Sequence, residues 1–420
     1  MPLEPGHRPL PGLRQMVADC GGVYLANAVI GFIFAASGPV AIILAVGAQG
    51  GLSESDLSSW VFGSFFLNGL ITLLFCTVYR QPLVFFWTIP GTVLVGPALG
   101  HLAWAEVIGA FLATGALMGV LGLSGWVRRA MQAVPMPIVM GMVAGVFLRF
   151  GLGLVHAVRD DFWIAAPMIA VFIALSASAS WSGLPRLSRL SRLMPPLIGA
   201  LIVGAVAIAV LGEFQSNGNG LVGPHVFAHP NWVAPVFSWR AMVELVVPLA
   251  ITVLVVQNGQ GFAVLDAAGH KAPINAITVA CGAGSMLAAL VGTVSTCLTG
   301  PVNAIISASG ERHRHYTAGL AVGVFALAFG LFAPVFTRMM LATPPAFIAA
   351  LAGLAMLRVL QTAFNVSFRE RFTLGALITF LVTVADVPIF NIGAPFWGLV
   401  IGYAVSRLLE RKDFIGAAGG

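Results

Sequence analysis

Long apolar runs recur from residue 23 to residue 410, and they constrain the fold of this chain more than any other feature. The run Pro196–Leu211 contains only apolar residues, proline and glycine, so it lacks the alternation typical of outer-membrane strands. A bilayer core requires about 20 apolar residues per crossing helix. Because 59% of the 420 residues are apolar and 9% are charged, the sequence predicts an all-α polytopic membrane protein and excludes an ordinary soluble domain.

Polar residues divide the apolar sequence into fourteen segments, which are predicted to be fourteen transmembrane segments. They lie near residues 23–48, 57–79, 88–100, 104–126, 135–157, 162–181, 195–212, 241–262, 275–292, 299–309, 316–337, 345–363, 371–386 and 394–410. The third and the tenth segments are too short to cross a core of roughly 30 Å at about 1.5 Å per residue. We therefore interpret these two as half-helices.

The positions of arginine and lysine support this count. If the amino terminus is cytoplasmic, most of the 21 basic residues lie in cytoplasmic loops, as the positive-inside rule expects. Arg186, Arg189 and Arg192, between the sixth and seventh segments, are examples. Omitting either short segment would invert every later loop and destroy this pattern. Both termini are thus predicted to be cytoplasmic, and the net charge of +6 reflects topology rather than nucleic-acid binding.

The two halves of the chain resemble each other. Residues 137–149 match residues 345–358, and residues 89–92 match residues 298–301. With seven segments in each half, an odd number, the two copies must have opposite orientations in the membrane. Two inverted seven-helix repeats with paired short helices indicate a secondary transporter whose site lies near the bilayer midplane.

The short segments begin with residues suited to anion binding. Thr299 and Gly300 open the tenth segment, which also contains Asn303, and Gly91 and Thr92 open the third. Two helix amino termini concentrate positive potential, which suits a carboxylate in a site without water. The alternative is that these residues only kink two ordinary spans.

Three carboxamides lie in the eighth segment, at Gln257, Asn258 and Gln260. Amides in an apolar helix are costly unless they are satisfied or used, so we predict that they line the substrate site. Hydrogen bonding between helices is the alternative. Apolar neighbours such as Phe34, Phe262 or Trp87 are predicted to support an aromatic ring of the substrate.

Acidic residues inside the segments are few. Asp266, Glu244 and Glu106 are candidates for proton coupling, and interfacial charges are the alternative interpretation. The cysteines are isolated, without the spacing of a metal site, so no metal or cofactor is predicted. No catalytic motif is present, and the chain is predicted not to be an enzyme.

These motifs resemble those of the BenE-type benzoate:proton symporters, within a superfamily shared with nucleobase symporters and sulfate-type anion carriers. The resemblance covers nearly the whole chain and is carried by residues 257–261, 273–276 and 299–303. It implies a core domain of helices one to four and eight to eleven, and a gate domain of the other helices. The implied boundaries are 1–128 and 241–340 for the core, 129–212 and 341–420 for the gate, and 213–240 for a periplasmic loop.

The expected function is proton-coupled uptake of benzoate, or of a similar aromatic carboxylate, across the bacterial inner membrane by alternating access. The expected partners are this substrate, protons and the bilayer, with a homodimer left open. A nucleobase symporter is the first alternative, but the eighth and tenth segments offer the amides of Gln257, Asn258 and Asn303 rather than a carboxylate. An inorganic-anion carrier is the second alternative, disfavoured by the short segment after Arg411, which leaves no room for a regulatory domain.

Overall fold

The computed structural model describes residues 3–417 except residues 8, 133, 181–194, 215–225, 309, 388 and 391–392. Arg186, Arg189 and Arg192, used above to predict topology, lie outside the described residues, as does the middle of the predicted loop 213–240.

Each of the fourteen predicted segments coincides with helical structure. In chain order the helices are α1 (Gly22–Gln49), α2 (Glu54–Tyr79), α3 (Ile89–Leu99), α4 (Trp104–Ser124), α5 (Met136–Asp160), α6 (Phe162–Ser180), α7 (Pro196–Leu211), α8 (Trp239–Ala267), α9 (Ile274–Ala289), α10 (Gly300–Ile306), α11 (His315–Leu331), α12 (Pro345–Phe368), α13 (Thr373–Ala385) and α14 (Ala394–Leu409). Shorter helical pieces lie at Leu13–Asp19, Val127–Gln132, Arg312–Arg314, Ala333–Leu341 and Arg411–Ala417.

Among the described residues, seven helices are long and apolar enough to cross a membrane: α1, α2, α4, α5, α8, α11 with its preceding turn, and α12. This confirms a mostly helical membrane protein. The third and tenth helices are short, with 11 and 7 residues. At 1.5 Å per residue they span roughly 16 and 10 Å, well short of a bilayer core.

Several long helices are interrupted. Helix α1 breaks at Ser37, whose φ and ψ are −97° and −100°, and restarts at Gly38 and Pro39. Helix α2 has a π-helical turn at Gly63–Leu67, and α8 has two, at Met242–Val246 and Thr252–Gln257. Such turns are rare in proteins overall, and those that occur are often located at functional sites.

The prediction of an all-α chain is incomplete, because a small sheet lies in the protein interior. Strand β1 (Phe85–Trp87) pairs antiparallel with β2 (Thr296–Leu298), and all six residues are buried. Phe85 lies opposite Leu298, and Trp87 lies opposite Thr296. The proline two residues into each following helix, Pro90 or Pro301, prevents either helix from extending back over the strand.

The packing of the helices repeats between the two halves. Helix α2 packs on α11 as α4 packs on α9, and α6 packs on α7 as α13 packs on α14. The second half of α1 contacts α3 as the end of α8 contacts α10. Helices α5 and α12, whose sequences match, pack on each other along much of their length.

Two buried histidines lie where α8 and α11 meet. His270 Nε2 is 3.1 Å from His315 Nδ1, and both residues are less than 10% exposed. Burial, together with the nearby charges of His315 and Arg312, lowers the pKa of His270 to about 4. The neutral form of His270 is therefore the one that this fold accommodates.

We expect the protein to lose stability as the pH falls from about 6.5 to about 4. In this range His270 takes up a proton in the unfolded chain, whereas its lowered pKa keeps it neutral in the folded chain. His270→Gln should reduce this acid-dependent fall in Tm, measured in detergent across that range. His313→Gln, at an exposed histidine, is the control. An identical pH profile for His270→Gln and the parent would contradict the assignment.

Candidate substrate-binding site

Side chains from the surrounding helices satisfy the outward-facing backbone groups of the two strands. Asn303 accepts the Val84 N–H at 3.0 Å and donates to the Val84 carbonyl at 3.3 Å. Asn258 accepts the Leu298 N–H at 2.8 Å. Thr72 and Ser285 accept the N–H groups of Phe85 and Thr296, each at 2.9 Å. Because buried backbone groups in a membrane protein need partners within the protein, these four side chains hold the sheet in place.

A cavity lies between the break in α1, strand β1 and the beginnings of α3 and α10. Its volume is about 10 Å³, and it is lined by Phe34, Ala35, Pro39, Phe86, Trp87, Ile89, Thr299 and Val302. This is on the order of one water molecule, so a single-ring ligand fits only when the aromatic walls move apart. Its lining is aromatic and aliphatic apart from the Thr299 hydroxyl, the indole N–H of Trp87 and backbone groups.

The amino termini of the two half-helices differ at the cavity. In α3 the Thr88 side chain accepts the Gly91 N–H at 3.1 Å and caps the helix. In α10 the corresponding residue, Thr299, makes no capping hydrogen bond, and Pro301 has no N–H. The Thr299 and Asn303 N–H groups donate to the carbonyls of Val84 and Thr299, so only those of Gly300 and Val302 have no acceptor among the described residues. These two N–H groups are open to a ligand, and the positive end of the helix dipole lies at the cavity.

Four of the predicted substrate residues, Gly91, Thr92, Thr299 and Gly300, lie at the starts of the half-helices, and Phe34 lies in α1. The structure brings Phe34 and Thr299 together in the cavity wall. Gly91 and Thr92 are buried in the first turn of α3, where the Thr92 hydroxyl donates to the Thr88 carbonyl. A Cβ on Gly300 would lie 2.5 Å from Gln260 Cγ. These three form the frame around the cavity rather than its lining.

The predicted carboxamides divide into two groups. Asn258 and Asn303 are fully buried and bonded to the strand backbone, so in this structure they act as supports and do not face the cavity. Gln257 is 6% exposed and makes no side-chain hydrogen bond with any described residue, and Gln260 is exposed beside Gly300. Neither glutamine belongs to the cavity lining.

The three predicted proton-coupling acids have different surroundings. Asp266 is exposed at the end of α8. Glu106 accepts the Ala103 N–H at 2.9 Å and caps α4. Glu244 is 5% exposed, lies in the π-helical turn of α8 and is 2.9 Å from His101 Nε2. Of the three, Glu244 alone combines burial with a titratable neighbour.

Sequence reasoning missed three lining residues, Ala35, Phe86 and Ile89, whereas Pro39 belongs to a small stretch, residues 36–39, that it ranked as a weaker candidate for the lining. Ala35 and Pro39 flank the break in α1, and the Ser-Gly-Pro sequence there was a usable signal. Phe86 and Ile89 reach the cavity only because β1 pairs with β2, which no local pattern in the sequence indicates.

Broken helices that meet at an interior cavity in a bundle of apolar helices define a membrane transporter of the discontinuous-helix class. Residues 18–408 match the BenE family, described as benzoate membrane transport protein. The chain belongs to this family.

Two relatives are similar to this chain in sequence, and two solved structures are similar to it in fold. It is 30% identical to the inner membrane protein YdcO of Escherichia coli over 89% of this chain and 93% of that protein. It is 27% identical to the benzoate membrane transport protein of Acinetobacter baylyi over 89% and 92%. The fold is similar to the transmembrane domain of the cyanobacterial bicarbonate transporter BicA, at a TM-score of 0.62 and 16% identity, covering 94% of this chain and 99% of that one. It is equally similar to SLC26A9, at 0.62 and 16%, covering 91% of this chain and 64% of the length of that one.

We expect Asn258→Ala and Asn303→Ala each to destabilise the protein by about 1 to 3 kcal/mol, because each leaves a buried strand N–H without its acceptor. Thermal unfolding of the purified variants should show Tm lowered by several degrees. Asn275→Ala is the matched control, since the half-buried Asn275 side chain makes no hydrogen bond with any described residue. If all three variants unfold at the parent's temperature, the support role of these amides is wrong.

Proposed function

We propose that this protein is a proton-coupled carrier of benzoate, or of a similar aromatic monocarboxylate, across the bacterial inner membrane. The observation that carries the proposal is the aromatic cavity at the uncapped amino terminus of α10. Membership of the benzoate transporter family supports it, as does the similarity to the benzoate membrane transport protein of Acinetobacter baylyi.

The topology proposed is fourteen crossings in two inverted repeats of seven, with both termini cytoplasmic. The repeated packing of α2 on α11 and α4 on α9 supports it, as does the antiparallel pairing of β1 with β2. Helices α1–α4 and α8–α11 form the core (residues 1–128 and 241–340). Helices α5–α7 and α12–α14 form the gate (residues 129–212 and 341–420), which moves against the core during alternating access.

The substrate is proposed to bind with its ring among Phe34, Phe86 and Trp87 and its carboxylate at the first turn of α10. An anion at a helix amino terminus gains from the dipole and from backbone donors. The described lining contains no charged side chain, so the negative charge of the substrate meets no competing carboxylate. Gln257 and Gln260 contact the substrate, in this proposal, only if α8 and α10 shift during transport.

A nucleobase and an inorganic anion remain the competing substrates. A nucleobase presents several donors and acceptors along one edge, and a lining of mainly apolar side chains would leave most of them unpaired. A small inorganic anion would leave the aromatic walls without a contact. A ring with one anionic group matches both halves of the cavity.

Glu244 is the proposed proton carrier, and its neighbours support this role. Its carboxylate contacts His101 and lies against Gly393, where a Cβ would be 2.5 Å from Glu244 Oε1. Gly393 immediately precedes α14 of the proposed gate, so the carboxylate lies at a contact between core and gate. Protonation of Glu244 would remove the negative charge that lies 2.9 Å from His101 Nε2 and alter the contact with Gly393.

Benzoate should compete for the site at least tenfold better than benzamide, which has the same ring without the charge. Charge-assisted hydrogen bonds are roughly twice as strong as neutral ones, and tenfold corresponds to about 1.4 kcal/mol. Inhibition of labelled benzoate counterflow in proteoliposomes measures this ratio, with uracil and bicarbonate as further competitors. Equal inhibition by benzamide, or inhibition by uracil or bicarbonate without any by benzoate, would contradict the proposed substrate.

Glu244→Gln should abolish accumulation of benzoate driven by a pH gradient and retain benzoate exchange, because only net transport requires the proton. Glu106→Gln is the control, since glutamine keeps the cap on α4 and removes the charge. Both activities are measured in the same proteoliposomes. Accumulation by Glu244→Gln at the parent's level would place the coupling group elsewhere.

A further inference from the structure

The Trp87 side chain carries a buried donor that no described residue satisfies. The residue is 2% exposed, and its indole Nε1–H has no hydrogen-bond partner among the described residues. The great majority of buried side-chain donors in proteins have a partner, so an exception requires an explanation. Here the same residue forms part of the cavity wall.

The surroundings of Trp87 hold its indole in a fixed place. Its backbone lies in β1 opposite Thr296, and its ring packs at 5.1 Å from Phe65 and 5.8 Å from Phe86, centroid to centroid. These neighbours are hydrocarbon rings and offer no oxygen to the N–H. A donor on a firmly packed residue of the cavity wall is pre-organised, so a ligand acceptor that reaches it binds with little ordering cost.

We propose that Trp87 is a specificity-determining residue, whose indole N–H donates to one carboxylate oxygen of the substrate while the first turn of α10 binds the other. This inference rests on the proposed function and names the side chain that selects a carboxylate substrate. Indole nitrogen is a donor only, so the ligand atom that it binds must be an acceptor. A neutral donor also adds no charge to the site, and the substrate is thus bound as its anion without a lysine or arginine.

The arrangement also explains how one site can prefer a carboxylate to an amide on the same ring. A carboxylate presents two acceptors, one for Trp87 and one for the α10 backbone. An amide presents one acceptor and an NH₂ group, which would face one of these two donors. Loss of the indole N–H should therefore weaken benzoate binding and also reduce the preference for benzoate over benzamide.

Equilibrium binding of labelled benzoate to the purified protein tests the proposal. Trp87→Phe should bind benzoate about tenfold more weakly than the parent, with a smaller ratio of benzoate to benzamide affinity. Trp60→Phe is the matched control. Trp60 is also fully buried with an unpartnered indole N–H, but it stacks on Trp104 at 5.5 Å and lies outside the cavity lining. Its affinity for benzoate should stay within about twofold of the parent's.

A second variant separates the lost hydrogen bond from lost volume or misfolding. It carries 3-benzothienylalanine at position 87, which keeps a bicyclic ring of nearly the same shape and replaces the N–H by sulfur. It should show the same loss of benzoate affinity with an unchanged Tm. Parent-like affinity and selectivity in this variant would overturn the role of Trp87 while the substrate assignment stands. Failure of the parent itself to bind benzoate would overturn the proposed function and this inference with it.

Discussion

The two buried strands impose the requirement on which the rest of the site depends. A three-residue pair satisfies only the backbone groups that face each other, and in a membrane protein the others must find partners inside the protein. Asn258, Asn303, Thr72 and Ser285 supply several of these partners from α8, α10, α2 and α9. Because helices of both repeats are bonded to the sheet, the starting points of α3 and α10 are fixed relative to each other. The cavity is the space that this arrangement leaves.

The two halves of the chain have similar helix-packing contacts and differ in the chemistry at the cavity. Thr88 uses its hydroxyl to cap α3, whereas Thr299 leaves the first turn of α10 uncapped. The Gly91 N–H of α3 is therefore satisfied internally, whereas its counterpart in α10, the Val302 N–H, is available. A site with one available end suits a ligand with one anionic group and an apolar remainder. Because of this difference the two helix ends at the cavity are not equivalent, and the anionic group of a ligand is expected at α10.

The sequence predicts the framework well, because about 20 apolar residues are needed per crossing and the third and tenth runs are visibly too short. It does not predict the sheet, since three residues are too few to show a period. The carboxamides illustrate the limit most clearly. Their cost in an apolar helix marks Asn258 and Asn303 as important, yet only the fold shows that their partners are the Leu298 and Val84 backbones. Phe34 and Thr299 were predicted at the site, whereas Phe86 joins them only through strand pairing.

Helix α8 connects the proposed proton carrier to the substrate cavity, although Glu244 does not line that cavity. Glu244 lies in the first π-helical turn of α8, and Asn258 directly follows the second. Asn258 in turn holds Leu298, the residue before Thr299 in the cavity wall. In the proposed mechanism, a change at the Glu244–His101 pair that moves α8 also moves the uncapped end of α10. Because π-helical turns contain wider backbone rings than the α-helix and are strained relative to it, α8 has two places where such a shift can be accommodated.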